Sequence, residues 1–172
     1  MDPIDAIVHR TAIHDVVLRY CRGVDRMDAD LVRSCYHPDA TDEHGSFAGT
    51  VDEYLTWVFR LLSSYDSTQH LLANHLVEFA DGTPESGVAV SESYGVAVHQ
   101  TANGPASKNL VVGFRFVDRF ERRDGEWRIA ARAATTEWTR ALDPAGAWPT
   151  PAHLRTGQRD RTDVLYTFLA DL

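Results

Sequence analysis

Apolar residues recur at helical spacing along the first part of the chain. Ile4, Ile7 and Val8 are followed by Ile13, Val16, Val17, Tyr20, Cys21 and Val24, which predicts one long amphipathic helix ending near residue 25. Asp2 and Pro3 supply an N-cap and a first-turn proline. Asp28 is placed to cap a short helix through "LVRSCY", which His37-Pro38 would terminate. "HPDATDEHGSFAG" reads as a loop. Thr50 and Glu53 then form a capping box for a third helix. Its buried side would carry Val51, Tyr54, Leu55, Val58, Leu61, Leu62 and Tyr65.

From residue 67 the period changes to two. "STQHLLANHLVEFA" and "SGVAVSESYGVAVHQ" read as strands joined by the turn "DGTPE". "NLVVGFRFVDRFER" and "EWRIAARAATTEW" flank Asp124-Gly125, the strongest short hairpin signal in the chain. An irregular tail follows, with a further short helix expected in "RTDVLYTFLADL". Helices followed by an antiparallel sheet define an α+β domain over residues 1–140, with 141–172 as a tail of the same domain. Helices laid across a curved sheet leave a pocket between the layers.

Composition narrows the function classes. The 172 residues are 44% hydrophobic and 24% charged, which fits one globular domain, and the net charge of −8 argues against nucleic acid or an anionic membrane as partner. No apolar run approaches the roughly 20 residues that cross a bilayer. The start "MDPIDAIVHR" lacks the basic and apolar regions of a secretory signal, so a cytoplasmic location is expected. Cys21 and Cys35 sit in apolar helical patterns and read as buried thiols. A glycine-rich phosphate loop, a G-x-S-x-G elbow and an H-E-x-x-H helix are all missing. No cofactor is therefore expected, and any chemistry would rest on acid–base side chains.

Asp25 stands at the end of the first helix, where the macrodipole disfavours a carboxylate. It lies at the edge of the apolar stripe, so burial would demand a partner. Arg22 is one candidate partner; shaping the turn into Asp28 is another reading. Thr68, His70, Leu72 and Asn74 share one strand face, which is polar for a core and suits a pocket wall. A carboxylate bonded to one imidazole nitrogen of His70 would fix its tautomer and make the other a base. Arg132 alternates with Trp127, Ile129 and Ala131, on a face with small neighbours. It either points inward, where it could stabilise an anion, or outward toward an acid. Tyr20, Trp57 and Tyr94 complete the candidate pocket residues. His37, Asp39, Asp42, Glu43 and His44 follow no metal-ligand spacing and read as a solvated acidic loop, so no metal site is expected.

Three stretches, "IHDVVLRYCRGVDRMDADLVRSCYHPDA", "TQHLLAN" and "GFRFVDRFERRDGEWRIAAR", carry a resemblance over most of residues 4–140. The chain resembles the SnoaL-like branch of the nuclear transport factor 2-like superfamily. The likeness is to the group holding scytalone dehydratase, hexachlorocyclohexane dehydrochlorinase and bile-acid 7α-dehydratase. That resemblance implies a cone-shaped α+β barrel with a deep apolar pocket. It also implies an aspartate–histidine dyad, matched here by Asp25 and His70, and an arginine near the leaving group, matched more loosely by Arg132. Val24, not Tyr20, fills the slot before the aspartate. The second pocket histidine of the dehydratase has no match, because His99 takes the strand parity opposite to Tyr94.

The expected activity is a lyase or isomerase of dehydratase or dehydrohalogenase type, acting on a small apolar substrate, polycyclic ones included. A polyketide-type cyclase and a non-catalytic ligand-binding domain are the alternatives. Apolar side chains on the outer sheet face point to a homo-oligomer, a dimer or a trimer.

Overall fold

Pro3–Asp25 forms the first helix, α1, and buries Ala6, Ile13, Val16, Val17, Tyr20, Cys21 and Val24 along one stripe. The fold was obtained as a computed structural model, which describes residues 3–101, 109–142 and 151–170. The proposed cap Asp2 lies outside the described residues. Ile4, Ile7 and Val8, expected on the buried stripe, are instead exposed; in the first turns of α1 the buried position is Ala6. Asp28 caps α2 (Ala29–Ser34) by accepting the Leu31 amide at 3.0 Å. The two helices pack closely at Gly23, where a Cβ would stand 2.5 Å from Val32 Cγ2.

The segment read as a loop is a hairpin. β1 (Tyr36–His44) pairs with β2 (Phe47–Thr50), and β1 also lies parallel to a strand near the end of the fold. Thr50 and Glu53 close the capping box that starts α3 (Val51–Leu62). Val51, Tyr54, Val58 and Leu62 are its buried residues, while Leu61 is exposed. β3 (Ser67–Phe79) and β4 (Val88–Gln100) are joined through two short 3₁₀ turns. β5 (Leu110–Arg123) and β6 (Glu126–Ala141) meet at Asp124-Gly125, with φ of 53° and 86° as a two-residue hairpin turn demands. A last short helix, α4, spans Val164–Ala170.

The strands form one six-stranded sheet in the order β2-β1-β6-β5-β4-β3. All pairs are antiparallel except β1 with β6, a departure from the purely antiparallel expectation. Bulges interrupt the register between Leu72 and His75 in β3, and opposite Arg119/Phe120 and Gly113/Phe114 in β6. Such bulges bend strands and raise twist, and the sheet curls without closing. Its concave face and the helices α1 and α3 enclose a core of Tyr20, Tyr36, Tyr54, Phe116, Phe120 and Ile129, all essentially inaccessible. The outer face leaves Leu71, Leu76, Val90, Tyr94 and Trp138 exposed. Among the described residues, no helix is long and apolar enough to cross a membrane.

Candidate active site

A cavity of about 320 Å³ opens between α1, α3 and the concave sheet. Aromatic rings make much of its wall: Tyr20, Tyr54, Trp57, Tyr65, Phe114 and Phe116, with Val24, Val58 and Leu62 between them. Gly95 makes room for one of these rings, since a Cβ there would fall 2.3 Å from the Phe114 ring. His44, His70 and His99 are the imidazoles that reach the cavity.

Asp25 and His70 come together at one side. The imidazole Nδ1 lies 2.7 Å from Asp25 Oδ1, the His70 amide donates to Oδ2 at 2.9 Å, and the Thr68 hydroxyl donates to Oδ1 at 3.1 Å. Both side chains are about nine-tenths buried. These donors offset the unfavourable helix end at which the carboxylate sits. An ionised carboxylate only accepts, so the bond requires the proton on Nδ1 and leaves Nε2 as the free basic nitrogen of the ring. Arg22, a candidate partner by sequence, is not among the groups that bind the Asp25 carboxylate.

The C-terminal segment packs behind this pair. Arg159 donates to the backbone oxygens of Leu62 at 3.0 Å, Tyr65 at 2.5 Å and Asp25 at 3.4 Å, and reaches Thr68 Oγ1 at 3.5 Å. One guanidinium thus ties the ends of α1 and α3 to the start of β3.

Arg132 points inward but is not at the cavity wall. Its Nε and Nη2 donate to Asp118 Oδ1 and Oδ2, each at 2.7 Å, and neither side chain is exposed. Its guanidinium lies 4.0 Å from the ring centres of both Tyr20 and Phe116. The bulge beside Ala130 reverses the strand's parity, so Arg132 falls on the same inner face as Trp127 and Ile129. Its Nη1 is buried without a hydrogen-bond partner among the described residues, and Tyr20 and Phe116, which its guanidinium faces, line the cavity where Arg132 does not.

Two other candidates lie outside the pocket. The Leu72/His75 bulge reverses the facing of β3, which leaves Asn74 exposed while His75, Val77 and Phe79 turn in. Tyr94 projects from the outer face, 41% exposed, with Arg115 over its ring at 5.6 Å. The inner residues of β4 are instead Ala89, Ser91, Ser93, Gly95 and Ala97, and His99 continues that series into the cavity. His99 and Tyr94 do lie on opposite faces of β4, and the inward one is that of His99. The run of small residues was the signal for the inner face.

His99 lies tilted against Tyr65 at 4.9 Å and meets His70 edge-on at 5.9 Å. Burial, reinforced by the neighbouring His70, pulls its imidazole down to about 4, so it is neutral at neutral pH. Tyr20 and Trp57 do line the cavity. The Tyr20 hydroxyl bonds that of Tyr54, and burial pushes the Tyr20 phenol above its ordinary range. Trp57 stacks on Phe47 at 5.5 Å.

The segment read as a solvated acidic loop is a strand that is solvated on one side only, where Asp39 and Glu43 are exposed. As part of β1 it buries Asp42 completely, sets His44 into the cavity, and turns His37 onto the Glu121 carbonyl at 2.9 Å. Cys21 and Cys35 are free and buried, with thiols pushed up by burial to about 12 and about 11. Those values are the opposite of what a reactive thiolate needs.

Helices laid against the concave side of a curled, unclosed six-stranded sheet define a recognisable class of α+β domain. The chain belongs to the SnoaL-like domain family, whose sequence model matches residues 5–133. Similar solved structures include a type 2 hexachlorocyclohexane dehydrochlorinase (LinA), 18% identical, covering 88% of this chain and 99% of that one with a TM-score of 0.72. A provisionally named scytalone dehydratase of Novosphingobium aromaticivorans is 20% identical over 84% of this chain and 98% of its own, with a TM-score of 0.69. A Mycobacterium tuberculosis protein of unknown function, Rv3472, is 23% identical over 80% and 77%, with a TM-score of 0.65. At these identities the likeness establishes the nuclear transport factor 2-like fold. No curated protein matches the chain significantly.

Proposed function

We propose that the protein is an acid–base lyase or isomerase of the dehydratase or dehydrohalogenase type, with His70 as base and Asp25 as the group that fixes it. The supporting observation is the 2.7 Å bond between Asp25 Oδ1 and His70 Nδ1 at the wall of an aromatic cavity. His70 Nε2 removes a proton from carbon, the released electron pair forms a double bond, and the leaving group departs from the adjacent carbon. Asp25 stabilises the imidazolium that results. A positioned general base contributes typically about 10²–10⁴-fold, and desolvation among the rings with donors to the departing group supplies the rest. The likeness in fold to a dehydrochlorinase and to a provisionally named scytalone dehydratase agrees with this chemistry.

The test is a panel of cyclic alcohols, halides and ketones with an acidic C–H, followed in heavy water for elimination and for deuterium uptake. Turnover or exchange that falls by about 10²-fold or more in His70→Ala and in Asp25→Asn supports the reading. Near-normal rates in either folded variant would overturn it. Retained mass in the product marks isomerisation or cyclisation instead of elimination.

A further inference from the structure

The cavity holds a second carboxylate–imidazole pair that the dyad does not use. His44 ends β1, its ring stacked on Tyr54 at 5.4 Å and 25° and lying 5.8 Å from Phe116. Its Nδ1 stands 3.4 Å from Asp42 Oδ1. Asp42 is wholly inaccessible, and its Oδ2 accepts the Tyr36 hydroxyl at 2.7 Å. Its Oδ1 has no hydrogen-bond partner among the described residues, and neither has His44 Nδ1. The two atoms stand at ion-pair distance though not in hydrogen-bond geometry, so a charge on the imidazole would answer that of the carboxylate.

The charge inventory points the same way. Asp42 and Asp118 are both buried carboxylates in this layer; Arg132, opposite Asp42 in the sheet, makes its two short bonds to Asp118 and keeps Nη1 without a hydrogen-bond partner among the described residues. Two carboxylates against one guanidinium leave one negative charge over in the layer, and Asp42 is the carboxylate without a short bond to the guanidinium. Buried charges require a counter-charge, and His44 sits between this excess and the cavity.

We propose that His44, held cationic by Asp42, is the acid of the pocket and receives an oxygen of the substrate across the cavity from His70. Three strands, β6, β5 and β4, separate the two imidazoles around the curl of the sheet. The inference rests on the dyad reading for the identity of the base, but the anion site does not depend on it. It narrows the substrate class to flat ring compounds bearing a hydroxyl or an enolisable carbonyl. The cavity, at about 320 Å³, is about twice the roughly 150 Å³ of a pocket that takes up benzene, which suits two or three fused rings.

In dehydration His70 Nε2 takes the carbon-bound proton and the C–H electron pair becomes the new double bond. The C–O bond breaks with its electrons on oxygen, which takes the Nε2 proton of His44 and leaves as water. His70 is then charged and His44 neutral. Loss of one proton to solvent from His70 and gain of one by His44 restores the starting state.

The probe is 4-nitrophenol, titrated against the full-length protein at a pH where the probe is ionised, with nitrobenzene as a neutral ring of similar shape. The wild type is expected to prefer the phenolate. His44→Gln should weaken phenolate binding about tenfold or more while leaving nitrobenzene within about threefold. Asp42→Asn should have the same sign; because Asp42 is buried, His44→Gln carries the test if that variant does not fold. A folded His44→Gln protein with wild-type phenolate affinity, or a wild type without phenolate preference, would overturn the proposal. If His70→Gln, and not His44→Gln, removes the preference, the charge belongs to the dyad and the proposal falls, while the base role of His70 is untouched.

Discussion

Replacing Arg132 by methionine leaves Asp118 buried without either of its short bonds. In the native protein the pair makes two contacts of 2.7 Å, exposes no side-chain surface, and sets the guanidinium 4.0 Å from two aromatic ring centres. Breaking a buried pair by removing one partner costs about 3–5 kcal/mol, and the lost cation–π contacts add about 1 kcal/mol. Methionine fills part of the space and returns some of this by apolar burial. A net loss of about 3–5 kcal/mol is therefore expected, a large share of the roughly 5–15 kcal/mol that holds a domain folded. The sign of its pH dependence follows from Asp118, whose carboxyl burial already pushes up while Arg132 opposes that rise. Without the arginine it rises further, so the penalty is full above the raised value and shrinks as pH falls through it. Arg132→Met combined with Asp118→Leu should recover most of the loss, since an apolar replacement of both partners is often neutral. Urea denaturation of the two single variants and the double variant gives the cycle. A loss below about 1 kcal/mol in Arg132→Met, or a double variant no better than the single, would refute the reasoning and return Arg132 to a role in chemistry.

The imidazoles of His99 and His75 are both held near 4, mainly by burial and also by His70 and His14 respectively. Between about 6.5 and 4 the unfolded chain binds protons that the folded one does not, so stability should fall as pH drops through that window and level off below it. His99 contributes at most roughly 3 kcal/mol, and half-buried His75 less after screening; a His99→Gln variant with an unchanged pH slope would contradict this. Arg159→Ala removes the donor to three backbone oxygens and should cost about 1–3 kcal/mol in denaturation. No change would mean that the tail does not brace the ends of α1 and α3.

Local signals in the sequence carried far. The Asp28 cap, the Thr50–Glu53 box and the Asp124-Gly125 turn each depend on residues within a few positions, and each appears where it was read. Asp25 and His70 were legible as a pair through the family resemblance, since the local pattern by itself left Arg22 or the turn into Asp28 as readings of Asp25; the carboxylate in fact takes its donors from the start of β3. What failed depends on distant partners. "HPDATDEH" is poor in strand formers and becomes β1 only by lying beside β2 and β6. That placement buries Asp42 and brings His44 to the cavity, neither of which local pattern could show. Alternation also breaks wherever a bulge inserts a residue. One such step exposes Asn74, and another carries Arg132 to the inner face. In β4 the larger apolar residues lie outside, so size misled where the small inner series of Ala89, Ser91, Ser93 and Gly95 was informative.

The central claim, that Asp25 fixes His70 with its proton on Nδ1 and its base nitrogen free, is tested most directly by nitrogen NMR of the histidine side chains. The spectrum of the wild type is compared with that of Asp25→Asn, with His70 assigned by His70→Gln. The account predicts a single Nδ1–H tautomer for neutral His70 in the wild type, and loss of that preference once the carboxylate is replaced by an amide. A His70 resonance that shows mixed tautomers in the wild type, or ignores the substitution, would contradict it.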